Sequence, residues 1–311
     1  MINPIRVFKP RIGLALGGGG VRAFAHIGIL KVLEENKVPI HALSGISMGS
    51  IIAAIYALGI PIDKIEKKLL DIAGSKAILS LEKFSTSSEI DEKKLVFQKF
   101  VRILKNLYLW NVRGARKWLV RFDKILPFVE SLIGNKTFAD TKIPFYCVAC
   151  DLATGEEVII NKGKLIDAVL ASSALPGVFP PVKLEGKLLV DAGILGSIPT
   201  WVFDRKDVDF VLAANVGGNI YHKEFNTGLD ILFQADLITS HKLDQEVLRY
   251  ADFVIDPAVH DVLWSEFSQA GFCIEQGKLA TKQNMRFLKK TIRGKYINPF
   301  FNSKKKVEKY T

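Results

Sequence analysis

The sequence predicts an α/β fold, with a mainly parallel central sheet and helices on both faces. Three observations carry that expectation. Short apolar runs alternate with helical patterns along the chain, two glycine-rich turns each join such a run to a helix, and 49% hydrophobic content over 311 residues can fill a large core.

The elements follow in order. Ile12–Leu16 reads as a buried strand and runs into Gly17-Gly18-Gly19-Gly20-Val21-Arg22. Apolar residues at Phe24, Ile27, Leu30 and Leu33 then mark a helix over 23–35. Residues 38–43 form the next strand candidate, ahead of Gly45-Ile46-Ser47-Met48-Gly49 and an apolar helix over 51–58. Further strands are expected at 145–149 and 210–215. Turn signals at Ala153-Thr154-Gly155-Glu156 and Glu185-Gly186 predict two hairpins, and the strand after the second, 187–190, delivers Asp191. Both glycine-rich turns then lie at the carboxyl ends of strands, where α/β sheets carry their sites.

Glycines two residues either side of Ser47 permit a sharp strand-to-helix turn that pushes the serine Oγ outward and turns the next backbone N–H into the same space. That arrangement suits a nucleophile. Gly18, Gly19 and Gly20, after a strand and before a helix, can aim N–H groups at an anion, as an oxyanion hole does. The same loop formally fits the dinucleotide pattern through Gly18, Gly20 and Ala23. The following strand, however, ends in Leu43-Ser44-Gly45, with no acid to hold a ribose hydroxyl.

Gly18-Gly19-Gly20-Val21-Arg22, Gly45-Ile46-Ser47-Met48-Gly49 and Asp191-Ala192-Gly193, in that order, resemble the three motifs of the patatin-like phospholipases of bacterial type. Segments 146–157 and 171–182 add to the likeness, which spans about residues 12–279. The resemblance implies a three-layer α/β/α patatin-like fold and a Ser47–Asp191 dyad without a catalytic histidine. It also implies an oxyanion hole at Gly18, Gly19 and Gly20, and a lipid ester as substrate, a phospholipid or lysophospholipid. Arg22 and Met48 complete the candidate set, for substrate binding or loop anchoring. The sequence departs from the pattern at Ala23 and Ala192, each in place of the family's usual glycine; alanine at a position needing positive φ would be strained.

Two other readings stay open on the residues. A Ser-His-Asp esterase would need a late histidine, and of His26, His41, His222, His241 and His260 only His260 combines that position with a loop. A non-catalytic lipid-binding descendant of the fold is the other. No metal-ligand spacing stands out, and neither metal nor cofactor is expected. Cys147 and Cys150 lie three apart on a strand, so they point to opposite faces and read as buried structural thiols, in keeping with a reducing compartment.

Charge is unevenly spread. Residues 99–124 hold eight Lys/Arg and one acid, residues 282–311 ten and one, so two segments carry +16 of a net +11 and the remainder is at −5. The first has an apolar helical stripe (Phe97, Phe100, Val101, Leu104, Leu107, Tyr108) flanked by Lys99, Arg102, Lys105, Trp110 and Trp118. It reads equally as a cap packed on the catalytic body and as an interfacial helix on an anionic membrane. The aromatics form a helical stripe and no nucleic-acid module is present, so no nucleic-acid partner is expected. The expected organisation is a single catalytic domain over 1–285, with core motifs at 12–204 and a basic cap or lid at 75–130. A flexible basic tail over 286–311 would follow. The N-terminus lacks a secretory pattern and no apolar run is long enough to span a bilayer, which points to a cytoplasmic protein able to sit peripherally on a membrane.

Overall fold

The computed structural model describes residues 10–75, 78, 122–204, 207–220 and 228–297. The strands are β1 (Ile12–Leu16), β2 (Ala42–Gly45), β3 (Phe145–Asp151), β4 (Glu157–Ile160), β5 (Val182–Leu184), β6 (Lys187–Asp191), β7 (Phe210–Ala214) and β8 (Phe253–Ile255). The described α-helices are α1 (Ala25–Glu35), α2 (Met48–Ala57), α3 (Ile62–Ala73), α4 (Leu126–Ile133), α5 (Leu165–Ser172), α6 (Gly228–Val247) and α7 (Ala270–Ile297). The sheet order is β5-β6-β3-β2-β1-β7-β8, with β4 paired to β3 off that path. Strands β3, β2, β1, β7 and β8 are mutually parallel, whereas β4, β5 and β6 add antiparallel pairs through the two expected hairpins.

Alternation along the central strands divides the core. Leu14, Leu16, Phe210 and Leu212 join the large cluster under α1, α2, α5 and α7. Ala15, Val211 and Ala213 face a smaller cluster with Ile198, Phe203 and Val247. Strands buried on both faces read as continuous apolar runs for this reason.

Register along β3 is the feature that builds the site. Gly45 at the end of β2 pairs with Cys147, and Asp191 at the end of β6 pairs with Ala149. Strand β4 pairs with Cys147 and Ala149 as well, so it holds the opposite edge. Strands β2 and β6 therefore share one edge of β3, meeting end to end from opposite directions. Two residues along a strand span about 7 Å, so the turn after Gly45 and the carboxylate of Asp191 are brought to the same place.

Several boundaries move for local reasons. Strand β2 begins at Ala42, not at 38, because Pro39 has no N–H and the Val38 N–H is used at the end of α1, on the Leu33 carbonyl at 2.9 Å. The helix expected from 23 opens instead as a 3₁₀ turn, Gly20–Phe24, before α1. Helix α7 runs to Ile297, so the tail boundary expected at 286 falls inside a helix. Leu288 is fully buried, Ile292 packs on the core and Lys289 Nζ donates to Asn36 Oδ1 at 2.9 Å. The cap expected over 75–130 lies largely outside the described residues, as does the stripe over 97–118. Among the described residues no helix is long and apolar enough to cross a membrane.

Helix α1, which carries the glycine loop at its start, crosses α7 at a backbone-to-backbone contact. A Cβ at Gly28 would lie 2.6 Å from the Lys278 nitrogen, and one at Gly277 would lie 2.8 Å from the Ala25 carbonyl carbon. Alanine in a helix gains up to about 1 kcal/mol of propensity over glycine, but overpacking against backbone costs about 1–3 kcal/mol or more. The clash wins. Gly277→Ala is expected to lower stability by about 2 kcal/mol in urea unfolding; a neutral or stabilising change would show that the crossing is looser than described.

Candidate active site

Ser47 sits between β2 and α2 with φ 54° and ψ −133°, one of three non-glycine residues with positive φ among those described. Such a conformation costs on the order of 1–3 kcal/mol and persists only where its surroundings enforce it. The enforcement is visible. A Cβ at Gly49 would lie 2.5 Å from the Gly17 carbonyl oxygen, and one at Gly45 would lie 2.6 Å from the Ser50 Cα, so the elbow closes only with glycine at both positions. The Ser47 N–H donates to Ser172 Oγ at 3.0 Å, and that hydroxyl donates in turn to the Val148 carbonyl at 2.7 Å. Ser50 Oγ donates to the Ser47 carbonyl at 2.7 Å.

Asp191 ends β6 and is 4% exposed. Its N–H donates to the Ala174 carbonyl at 3.1 Å, so residues 172 and 174, at the end of α5, hold the backbones of both Ser47 and Asp191. The carboxylate accepts the Gly193 N–H at 2.9 Å, and the Ser47 side chain lies near enough to favour its ionised form. Burial pushes the carboxyl pKa up to about 6, against the Gly193 N–H and the Ser47 hydroxyl, which favour the ion. The pair thus joins a serine hydroxyl to a carboxylate of raised basicity. The alanines in place of glycine cause no strain: Ala23 and Ala192 lie in 3₁₀ turns, neither has positive φ, and Ala192 is fully buried against Ile46 and Val148.

The glycine loop lies against the serine, a Cβ at Gly18 falling 3.2 Å from Ser47 Cβ. Its N–H groups are not equivalent. The Gly18 N–H is already taken, donating to the Ser197 carbonyl at 2.8 Å, and the Gly17 N–H goes to Ala214 O at 3.3 Å. Among the described residues those of Gly19, Gly20 and Met48 have no acceptor. Of the three expected donors, Gly18 is therefore already engaged, and the N–H groups of Gly19 and Gly20 remain. Gly20 has φ 59°, and a Cβ there would lie 2.9 Å from the Trp264 carbonyl carbon.

Arg22 anchors that loop. Its Nε donates to the Val216 carbonyl at 2.9 Å and its Nη1 to Val262 O at 3.1 Å, binding the 3₁₀ turn to the segments after β7 and β8. The Met48 side chain is half-buried on the core. His26 is fully buried with Nε2 2.7 Å from the Gly17 carbonyl, and burial lowers its pKa to about 4. His41 Nδ1 accepts the Ile12 N–H at 2.9 Å. His260 has Nδ1 2.7 Å from the Gly217 carbonyl and Nε2 3.0 Å from Asp256 Oδ1, an ion-pair contact lying off the hydrogen-bond direction. The contact with Asp256 raises the His260 pKa, and both ring nitrogens face oxygens other than that of Ser47. Cys147 and Cys150 are free and buried, and burial raises the Cys147 thiol to about 12.

Three residues that shape the site carry little sequence signal. Ser172 lies in the segment 171–182 but looks like any helix-end serine. Ser197 and Asp244 are linked only by the fold: the Ser197 N–H donates to Asp244 Oδ1 at 2.6 Å and its Oγ to Oδ2 at 2.7 Å, across 47 positions.

A family model of patatin-like phospholipases matches residues 14–204, and the chain belongs to that family. An uncharacterized NTE family protein of Mycobacterium tuberculosis strain H37Rv is 30% identical over 68% of this chain and 50% of its own length. The lysophospholipase NTE1 of Pyricularia oryzae is 28% identical over 68% of this chain and 12% of its own. The chain thus spans about half the length, or less, of these curated relatives. Among solved structures, human GIVD cytosolic phospholipase A2 aligns with a TM-score of 0.50 at 12% identity, covering 93% of this chain and 60% of that one, a likeness of fold.

Two outcomes follow from the geometry. Ser172→Ala leaves the Ser47 N–H without its acceptor, and should cost about 1–3 kcal/mol in urea unfolding; an unchanged midpoint would mean that the elbow does not depend on this bond. Asp191 binds more protons folded than unfolded between about pH 4 and pH 6, so its burial destabilises the fold progressively as pH rises through that window. Asp191→Asn removes the buried charge and should stabilise the protein at pH 7.5 by up to about 3 kcal/mol, with the gain fading by pH 4. Thermal unfolding of both proteins across pH checks the sign, and a pH-independent difference would contradict it.

Proposed function

We propose that this chain is a serine acyl hydrolase that cleaves carboxylic esters of lipids through a Ser47–Asp191 dyad. The observation that carries the reading is a serine on a strained elbow whose side chain lies beside a buried carboxylate of raised pKa. Ser47 Oγ attacks the ester carbonyl carbon as Asp191 takes the hydroxyl proton. The oxyanion so formed receives the N–H groups of Gly19 and Gly20, with that of Met48 on the same side of the elbow. Collapse breaks the ester bond, and the leaving alcohol takes the proton held on Asp191. Water then attacks the acyl-serine with Asp191 as base, releasing the fatty acid and restoring Ser47.

A carboxylate is a weak base toward serine. Burial offsets this by raising its affinity for the proton, so the desolvation that destabilises the fold serves the chemistry. Phospholipids or lysophospholipids are the substrate class proposed, supported by family membership and by the lysophospholipase name of one relative. Work at an anionic membrane surface is supported by the basic segments at 99–124 and 282–311. No metal enters any step.

Labelling with a fluorophosphonate probe tests the reading. Wild type should label, Ser47→Ala and Asp191→Asn should not, and His260→Ala should label like wild type. Loss on changing His260 would turn the assignment to a histidine-dependent esterase; no labelling of folded wild type in detergent would turn it to a lipid-binding protein without activity. Because the base must be ionised, kcat/KM on a lipid ester should rise as pH passes about 6. A profile flat from pH 5 to 8 would exclude Asp191 as the base.

A further inference from the structure

Asp244 is an acid in the last turn of α6, where the helix dipole disfavours negative charge, and it is 8% exposed. Burial raises its pKa, while its bonds to Ser197 and the nearby charges of His241 and Arg22 favour the ion. A carboxylate so placed is costly unless its lone pairs are used. Among the described residues they are used on Ser197, which donates its N–H to one oxygen at 2.6 Å and its hydroxyl to the other at 2.7 Å. Ser197 lies just past the turn that Asp191 opens, and Gly196 before it has φ 124°. The Ser197 carbonyl then accepts the Gly18 N–H at 2.8 Å. Gly17 is fitted to the same segment, a Cβ there falling 3.1 Å from Ile198 Cγ1 and 3.5 Å from Ser197 O.

We infer that Asp244 is a positioning residue for the anion-binding loop: its carboxylate locks Ser197, whose carbonyl fixes Gly18 and so the two N–H groups that follow it. The inference rests on the hydrolase reading above. It explains why Gly18 is not itself a donor to the substrate: its N–H is the attachment point of the loop. It also links the two halves of the site, since one carboxylate steadies both the turn after the base and the loop opposite the serine. Among the described residues neither Asp244 nor Ser197 hydrogen-bonds Ser47 or Asp191, so their effect must act through geometry. Oxyanion donors gain their value from being fixed before charge develops, and small displacements of such groups cost large factors in rate.

The test compares the wild-type chain with Asp244→Asn, Ser197→Ala and Ser47→Ala. Active serines are counted by fluorophosphonate labelling, and kcat and KM on a soluble acyl ester are expressed per labelled serine. Inhibition by an acyl trifluoromethyl ketone, which forms a tetrahedral oxyanion with a serine, is measured in parallel. Asparagine keeps the shape but cannot accept from both donors of Ser197 in the same way, and should lower kcat per serine about tenfold to hundredfold. KM should stay within about threefold, with the ketone weakened by the same factor as kcat. Ser197→Ala keeps the carbonyl and one of the two bonds, and should show the same pattern at about fivefold; it carries the test if the Asp244 variant does not fold. Lower thermal stability with unchanged kcat and ketone affinity per labelled serine would overturn the positioning role and leave Asp244 merely structural. Failure of wild-type Ser47 to label would overturn the hydrolase reading, and the inference with it.

Discussion

Strand β3 gives one edge to two strands that approach from opposite directions, and everything at the site depends on that sharing. Parallel pairing puts the end of β2 beside Cys147, and antiparallel pairing puts the end of β6 beside Ala149. Neither strand could extend without colliding with the other, so both must leave the sheet there, one through the elbow at Ser47 and the other through the turn at Asp191. The end of α5 then fixes both backbones, through Ser172 and Ala174. A serine and a carboxylate far apart in sequence become partners because backbone pairing leaves them nowhere else to go.

The arrangement sets stability against chemistry at named atoms. Ser47 holds a positive φ that a serine disfavours, and Asp191 holds a carboxylate out of water. Each is a local loss of a few kcal/mol, tolerable because α1, α2, α5 and α7 pack a continuous apolar core over the same sheet. The glycine loop is treated differently. It is tied down at several points, by Gly17 to Ala214, Gly18 to Ser197, Val21 to Trp264 and Arg22 to Val216 and Val262, while Gly19 and Gly20 keep their N–H groups unused. A loop so held presents its donors without having to reorganise.

The motifs around Ser47 and Asp191 were legible because each encodes a backbone event within a few residues: glycines that allow close approach, a hairpin at Glu185-Gly186, an acid at a strand end. The sheet's parallel core was legible for the same reason, from strand–helix alternation. Other features depend on partners distant in sequence. That Gly18 spends its N–H on Ser197, and that Asp244 holds Ser197, could be read only from the folded chain. The end of α7 is a different failure. Met285, Leu288 and Ile292 have helical spacing and pack on the core, yet the surrounding lysines and arginines made the segment look like a tail. Ala23 and Ala192 are unstrained because the 3₁₀ turns at those points need no positive φ.

The dyad mechanism requires a covalent acyl group at Ser47. Rapid quenching of wild type during turnover of a lipid ester, followed by mass spectrometry of the peptide that contains Ser47, would detect it. The dyad predicts an added acyl mass on that serine which decays as fatty acid is released. Sustained hydrolysis with no acyl group on Ser47, or with one on another residue, would contradict the mechanism.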